Sequence, residues 1–177
     1  EAELICNSLE EEFHENANLM YANGIIAKGQ DKIDRALCLF RKALNLNPCY
    51  PICLNTLGLV LRDLGRTHEA GECFKEALKH DPTFGAAMNN LGSVLKDVAS
   101  YEEALIWLGR GAEKLHNNPA AYSNVLFTLF GYELEPAKQR IKEAEKFGQK
   151  FGVNPFERWR DRIPNPDPNR KLNIGLI

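Results

Sequence analysis

The fold of this protein is decided by residues 51–84, whose sequence is PICLNTLGLVLRDLGRTHEAGECFKEALKHDPTF. The first half of this stretch places apolar residues at helical spacing, and Gly65 follows as a candidate C-terminal cap. Thr67 stands where the N-cap of a second helix is expected, and Pro82 cannot continue a helix interior. The stretch therefore predicts two helices joined by a tight turn. The predicted apolar faces carry Ile52, Leu54, Leu57, Leu61 and Leu64 in the first helix and Ala70, Cys73, Phe74, Ala77 and Leu78 in the second.

The same pattern recurs along the chain at an interval of 34 residues. A fixed period of this length is typical of repeat proteins in which each unit is one supersecondary element. Units are therefore predicted at residues 17–50, 51–84 and 85–118. The repeating columns hold Gly24, Gly58 and Gly92; Ala36, Ala70 and Ala104; Phe40, Phe74 and Leu108; and Ala43, Ala77 and Gly111.

The small residues in these columns indicate where helices approach closely. Glycine and alanine are expected between the two helices of a pair, whereas Phe40 and Phe74 are expected to fill the gap between neighbouring units. Helix N-caps are predicted at Asp31, Thr67 and Ser100, the last with Glu103 in a capping box. Because one helix pair cannot bury its apolar face alone, the pairs predict an all-α, right-handed superhelical solenoid.

The repeat resembles the tetratricopeptide repeat (TPR). The residues that carry the resemblance are Leu57, Gly58, Leu61, Ala70, Phe74, Ala77 and Pro82. The first unit departs from the pattern at Asn23, where leucine is expected. The resemblance implies a protein-binding module whose partners lie in a concave groove lined by the first helix of each pair.

The segments that flank the repeats follow other patterns. Residues 1–16 are expected to form an N-terminal capping helix or a partial repeat. Residues 119–152 are expected to form a degenerate repeat with a C-terminal capping helix. Residues 153–171 contain four prolines and predict a linker. Residues 172–177 have the pattern of a buried strand, which we expect to open a further domain.

A second resemblance covers this C-terminal part. The sequence YSNVLFTL at 122–129 and the sequence DPNRKLNIGLI at 167–177 are similar to the end of the repeats in bacterial-type O-GlcNAc transferases and plant SPINDLY-type O-fucosyltransferases. In that family the strand opens a catalytic domain that uses a nucleotide sugar, so UDP-GlcNAc or GDP-fucose is implied for a full-length protein. The family's catalytic residues lie beyond residue 177, and none is assigned within this sequence.

Composition narrows the classes of function. The 177 residues carry 22 basic and 24 acidic side chains, and this net charge of −2 argues against nucleic acid as a partner. No apolar run is long enough to span a bilayer, so no membrane association is expected. Five cysteines without paired metal-ligand spacing predict reduced thiols, no metal site and a cytoplasmic or nuclear protein. Phosphate-loop, zinc-protease and serine-hydrolase motifs are all missing from the sequence, so no catalytic residue or cofactor is expected in it.

The predicted groove offers the candidate binding residues. They are Tyr21, Asn55 and Asn89 in one column, Asn90 and Asn124 in the next, and Arg62 and Lys96 in a third. Each asparagine amide is both a donor and an acceptor, so a row of them can pair with an extended peptide backbone. The glycosyltransferase resemblance implies such a ladder, although only Asn90 and Asn124 match its column and Thr56 departs from it. The alternative is that these asparagines cap helices or face solvent.

Three hypotheses of function follow. The first is the substrate-recruiting arm of a protein O-glycosyltransferase that modifies serine or threonine. The second is an adaptor or scaffold protein without an attached enzyme. The third is self-association, as a homodimer, through the outer faces of the helices.

Overall fold

The computed structural model describes residues 16–131 and, further along the chain, residues 142, 145, 146 and 148–150. The chain divides into two compact units, Glu1–Glu135 and Pro136–Ile177. The predictions for residues 1–15, 153–171 and 172–177 lie outside the described residues, as does most of the predicted capping helix. The six described residues of the second unit are helical.

Seven α-helices account for the regular structure of residues 16–131, where no strand occurs. The helices are α1 (Ala17–Gly29), α2 (Ile33–Leu46), α3 (Pro51–Asp63), α4 (Thr67–His80), α5 (Gly85–Asp97), α6 (Tyr101–Lys114) and α7 (Pro119–Gly131). Each odd-numbered helix packs against the helix that follows it, and α2, α4 and α6 also pack against the next odd-numbered helix. The predicted all-α solenoid of stacked helix pairs is therefore confirmed.

The glycine column lets the two helices of each pair meet at an aromatic ring. A Cβ atom placed on Gly24 would lie 2.5 Å from Cε1 of Phe40, and one on Gly58 would lie 2.6 Å from Cε1 of Phe74. Both rings are fully buried. The prediction that these rings fill the gap between units is thus corrected, because each ring closes its own pair by packing on the glycine of that pair.

The turns between the helices of a pair use backbone hydrogen bonds rather than side-chain caps. In the turn after α3, the Arg66 N–H donates to the Leu61 carbonyl at 2.8 Å and the Gly65 N–H donates to the Arg62 carbonyl at 2.9 Å. This is the Schellman arrangement, in which one residue adopts a left-handed conformation. Gly65 does so with φ +75°, which confirms it as the helix-ending residue.

The predicted side-chain caps are wrong because the same turn recurs in the other two pairs. Asp31 and Ala99 take the left-handed position, with φ of 60° and 62°. The next helix then begins directly, so the residues at the N-cap positions are Lys32, Arg66 and Ser100, and none of the three makes a side-chain cap hydrogen bond. The predicted capping box at Ser100 and Glu103 is therefore not formed.

The cysteines depart from the prediction at one position. Cys49, Cys53 and Cys73 are free thiols, as predicted, whereas Cys38 is disulfide-bonded. Sequence spacing could not reveal this bond, because a disulfide depends on the approach of two side chains in space. Cys53 is fully buried, and its thiol donates to the Phe40 carbonyl at 3.5 Å. Burial raises the pKa of Cys53 to about 12 and that of Cys73 to about 11.

Candidate functional site: the groove of the first helices

The candidate site lies where α1, α3, α5 and α7 stand side by side. Besides the contacts within pairs, α3 contacts α5 and α5 contacts α7. On each helix, residues three or four apart share one face, and this spacing joins Asn55 to Arg62 through Leu59. We call the surface formed by these faces the groove. Its polar side chains come from positions that recur every 34 residues.

Three side-chain hydrogen bonds cross between successive odd-numbered helices. We call them rungs. The rungs are Tyr21 Oη to Thr56 Oγ1 at 3.2 Å, Asn90 Nδ2 to Asn55 Oδ1 at 2.9 Å, and Asn124 Nδ2 to Asn89 Oδ1 at 3.1 Å. Each rung joins residues that are 35 positions apart. The two predicted columns are therefore not independent rows, because a residue of one column bonds to a residue of the other in the next repeat.

The rung at Tyr21 has no hydrogen left for a partner. Thr56 donates its hydroxyl hydrogen to the Ile52 carbonyl at 2.9 Å, so Tyr21 must be the donor in the rung. The Tyr21 ring also packs between Phe40 and Tyr50, with ring centroids 5.9 and 5.3 Å away. Burial, and then the neighbouring Tyr21, raise the pKa of Tyr50. Tyr21 is thus held in an aromatic cluster and leaves only oxygen lone pairs for a ligand.

The two asparagine rungs keep both kinds of hydrogen-bonding group. Asn90 and Asn124 each use one N–H in a rung, which leaves the carbonyl oxygen and the second N–H of each amide. Both side chains are half-buried, whereas Asn55 is only 8% exposed. The amide orientation is fixed by the rung, so Asn90 and Asn124 are held ready to form paired hydrogen bonds with a peptide backbone.

The charged positions of the groove lie at the ends of the first helices. Lys28, Arg62 and Lys96 are half-buried in the last turns of α1, α3 and α5, where a cation complements the helix dipole. Asp63 and Asp97 are exposed beside two of them. The ammonium of Lys96 lies 5.5 Å from the centroid of the Phe127 ring. The groove therefore carries both signs of charge along one edge.

Groups that could support metal or membrane chemistry were also sought. Within the described ranges, no three His, Cys, Asp or Glu side chains cluster as metal ligands would. No helix in that part of the chain is both long enough and apolar enough to cross a bilayer.

The comparisons with known proteins identify the repeat. Residues 51–84 match the family model described as tetratricopeptide repeat. Residues 17–131 form a TPR region. No curated protein matches the chain by sequence.

Solved structures share the fold of this TPR region at low sequence identity. YrrB, described as a TPR protein with an unusual peptide-binding site, is 22% identical with a TM-score of 0.68, over 82% of this chain and 74% of its own. The first TPR domain of Spaghetti, bound to an HSP90 peptide, is 19% identical with a TM-score of 0.62, over 65% and 91%. A mutant O-GlcNAc transferase of Thermobaculum terrenum is 20% identical with a TM-score of 0.67, over 75% and 26%. The match thus spans about a quarter of that transferase.

Sequence analysis missed two residues of the groove in the TPR region. Thr56 had been set aside as a departure from the asparagine column, yet it bonds Tyr21 and completes the first rung. Phe127 received no role, although it lies three residues after Asn124 and two periods after Leu59. The period would have pointed to Phe127, whereas the rungs required knowledge of how neighbouring helices are offset.

Proposed function

We propose that the TPR region binds an extended segment of a partner protein in its groove, chiefly through the partner's backbone. The observation that carries this proposal is the pair of asparagine rungs. Asn90 and Asn124 each retain one donor and one acceptor, and an extended peptide backbone presents the complementary pair at every residue. Such contacts recognise a backbone without requiring a particular side chain, so many partner sequences satisfy them.

The rungs also set the extent of the binding surface. Each buried or half-buried amide that is already held by a neighbour loses little freedom when a ligand arrives, which favours binding. The Tyr21–Thr56 rung offers no hydrogen, so the backbone-binding part of the groove runs from α3 to α7. Two structural neighbours are described with bound peptide or a peptide-binding site, and this supports a peptide as the ligand.

As the finer proposal, the TPR region recruits substrates for a protein O-glycosyltransferase. The support is the resemblance of residues 122–129 and 167–177 to that family, together with a fold shared with the Thermobaculum terrenum O-GlcNAc transferase. The implied chemistry is transfer of a sugar from UDP-GlcNAc or GDP-fucose to serine or threonine. The TPR region would hold a protein segment weakly and raise its concentration near the catalytic domain.

A second candidate is an adaptor that joins proteins without modifying them. The match to Spaghetti favours it, since it covers 91% of a TPR domain that is described in complex with an HSP90 peptide. The two candidates share the groove and differ in the chemistry attached to it.

Backbone recognition is tested by measuring the binding of twelve-residue peptides of unrelated sequence to the chain. We expect several to bind, and we expect Asn124→Ala to weaken all of them by a similar factor. A matched control is Asn45→Ala, which removes an exposed asparagine on α2 outside the groove. Equal loss in both variants, or binding that is unaffected by either, would contradict the proposal.

The choice between transferase arm and adaptor needs a chemical readout. The protein encoded by the complete reading frame is incubated with cell extract and radiolabelled UDP-GlcNAc or GDP-fucose. Label appearing on serine or threonine supports the transferase arm. No label from either donor, with peptide binding intact, supports the adaptor.

A further inference from the structure

Phe127 is an exposed aromatic residue beside the last rung. Its side chain is 72% exposed, more than any other large apolar side chain of the described residues. It lies three residues after Asn124 on α7, and this spacing places both on one face of the helix. Since so much of the ring stays in contact with water, packing of the fold alone does not account for a phenylalanine here.

Lys96 is held over this ring without an acidic partner. Its ammonium lies 5.5 Å from the Phe127 centroid, within the range of a cation–π contact. Within residues 16–131 the ion pairs are Arg66–Glu69, Lys75–Glu72, Lys79–Glu76 and His80–Glu76, none of which includes Lys96. Asp97 is the next residue, and adjacent helical residues point in different directions. The positive charge is therefore positioned but not neutralised.

The arrangement is specific to the last repeat. Lys96 and Phe127 are 31 residues apart, and the same interval relates Lys28 to Leu59 and Arg62 to Ser93. Neither of these earlier partners is aromatic. The cation column is thus regular along the groove, whereas the exposed ring that holds one cation in place occurs only at the α5–α7 step of the described repeats.

We propose that Lys96 and Phe127 form a side-chain subsite that selects peptides with an acidic residue close to an apolar one. The inference rests on the proposed function, because the Asn124–Asn89 rung would hold the peptide backbone beside the subsite. A carboxylate of the peptide contacts the Lys96 ammonium, and an apolar side chain covers the exposed Phe127 ring. Backbone contacts at the rungs supply general affinity, and this subsite supplies the sequence preference.

The geometry also predicts the spacing of the two peptide residues. In an extended chain alternate side chains point to the same side, and residues i and i+2 are about 6.6 Å apart. This matches the 5.5 Å that separates the ammonium from the ring centroid. The preferred partner sequence is therefore an aspartate or glutamate two residues from a leucine or similar residue.

Fluorescence anisotropy with labelled twelve-residue peptides tests the subsite. The probes share a serine–alanine background and carry Asp-Ala-Leu, Asn-Ala-Leu, Lys-Ala-Leu or Asp-Ala-Ser at the centre. We expect Asp-Ala-Leu to bind about threefold to tenfold more tightly than the other three, as for a partly exposed charge with an apolar contact. Lys96→Glu should make Lys-Ala-Leu the preferred probe, and Phe127→Ala should abolish the difference between leucine and serine.

Arg62→Glu is the matched control, because Arg62 occupies the same column one repeat earlier and has no ring beside it. It should leave the order of the four probes unchanged. Circular dichroism checks that each variant folds. If Lys96→Glu does not fold, Lys96→Gln replaces it and should remove the preference for aspartate without inverting it.

The outcomes separate the subsite from the proposed function. Equal binding of all four probes to the unmodified chain would overturn the subsite while leaving backbone recognition in place. A preference for aspartate that survives in both Lys96→Glu and Lys96→Gln would overturn it as well. Failure of every probe to bind would overturn the proposed function and this inference together.

Discussion

Asn124 Nδ2 donates to Asn89 Oδ1 at 3.1 Å and thereby joins α7 to α5 across the groove. The same relationship holds between Asn90 and Asn55 one repeat earlier. These bonds give the groove two consequences at once. They couple neighbouring repeats mechanically, and they fix two amides in an orientation that leaves one donor and one acceptor on each.

The Asn90–Asn55 rung should contribute to stability. Asn55 is 8% exposed, so Asn90→Ala would leave its buried carbonyl oxygen without a partner, at about 1–3 kcal/mol. Replacing both by alanine should be less destabilising than the sum of the single variants. Urea unfolding of the two single variants and the double variant gives this coupling. Strictly additive effects would show that the rung carries no energy.

The Asn124–Asn89 rung should matter more for binding than for stability. Both of its side chains are half-buried, so water can replace the lost partner in Asn124→Ala. We expect the melting temperature to change by no more than a few degrees. Peptide affinity should fall by about twofold to tenfold, which corresponds to one net hydrogen bond. Isothermal titration and a thermal melt of the same variant measure both quantities.

Enlarging the glycine column should disrupt the helix pairs. A Cβ on Gly58 would lie 2.6 Å from the Phe74 ring, so Gly58→Ala should destabilise the protein by about 1–3 kcal/mol. Gly109 is the matched control because nothing lies within 4 Å of a Cβ there. Gly109→Ala in the interior of α6 should instead stabilise by about 0.5–1 kcal/mol. Chemical denaturation of the two variants compares them, and equal signs would be inconsistent with the packing described.

The turn after α5 should be improved by glycine. Ala99 has φ 62°, a left-handed conformation that is unfavourable for a residue with a Cβ. Ala99→Gly should therefore raise the free energy of unfolding by up to about 1 kcal/mol. Gly65→Ala makes the reverse change in the equivalent turn, where φ is +75°, and should lower it. A melting-temperature shift in the same direction for both variants would contradict this account.

The buried thiols should respond to pH. Burial raises the pKa of Cys53 to about 12 from its ordinary 9.0, so the folded chain holds this proton after the unfolded chain has released it. Stability should therefore fall as pH rises above about 9 and continue to fall towards the folded pKa. Urea unfolding at pH 8 and pH 10, with Cys53→Ala as reference, measures the effect. A slope that is unchanged in Cys53→Ala would assign it to other groups.

Local chemistry explains where sequence analysis succeeded and where it failed. Helix positions and the stacked-pair fold were predictable because Gly58, Ala70 and Phe74 encode close packing within one unit. The turn caps were predicted wrongly at Asp31 and Thr67, because the backbone of the Schellman turn already satisfies the groups that a cap would bind. The disulfide of Cys38 was missed since distance in space is not visible in spacing.

The period of 34 by itself determined the fold and the candidate residues of the groove, because each unit must bury its apolar face against the next. The tertiary structure alone decided how those residues pair. The rungs run from one residue to another 35 positions later, since neighbouring first helices meet with an offset that brings adjacent columns together. That offset depends on how whole helix pairs pack. It is the reason that Thr56 joins the rungs and that Lys96 meets Phe127.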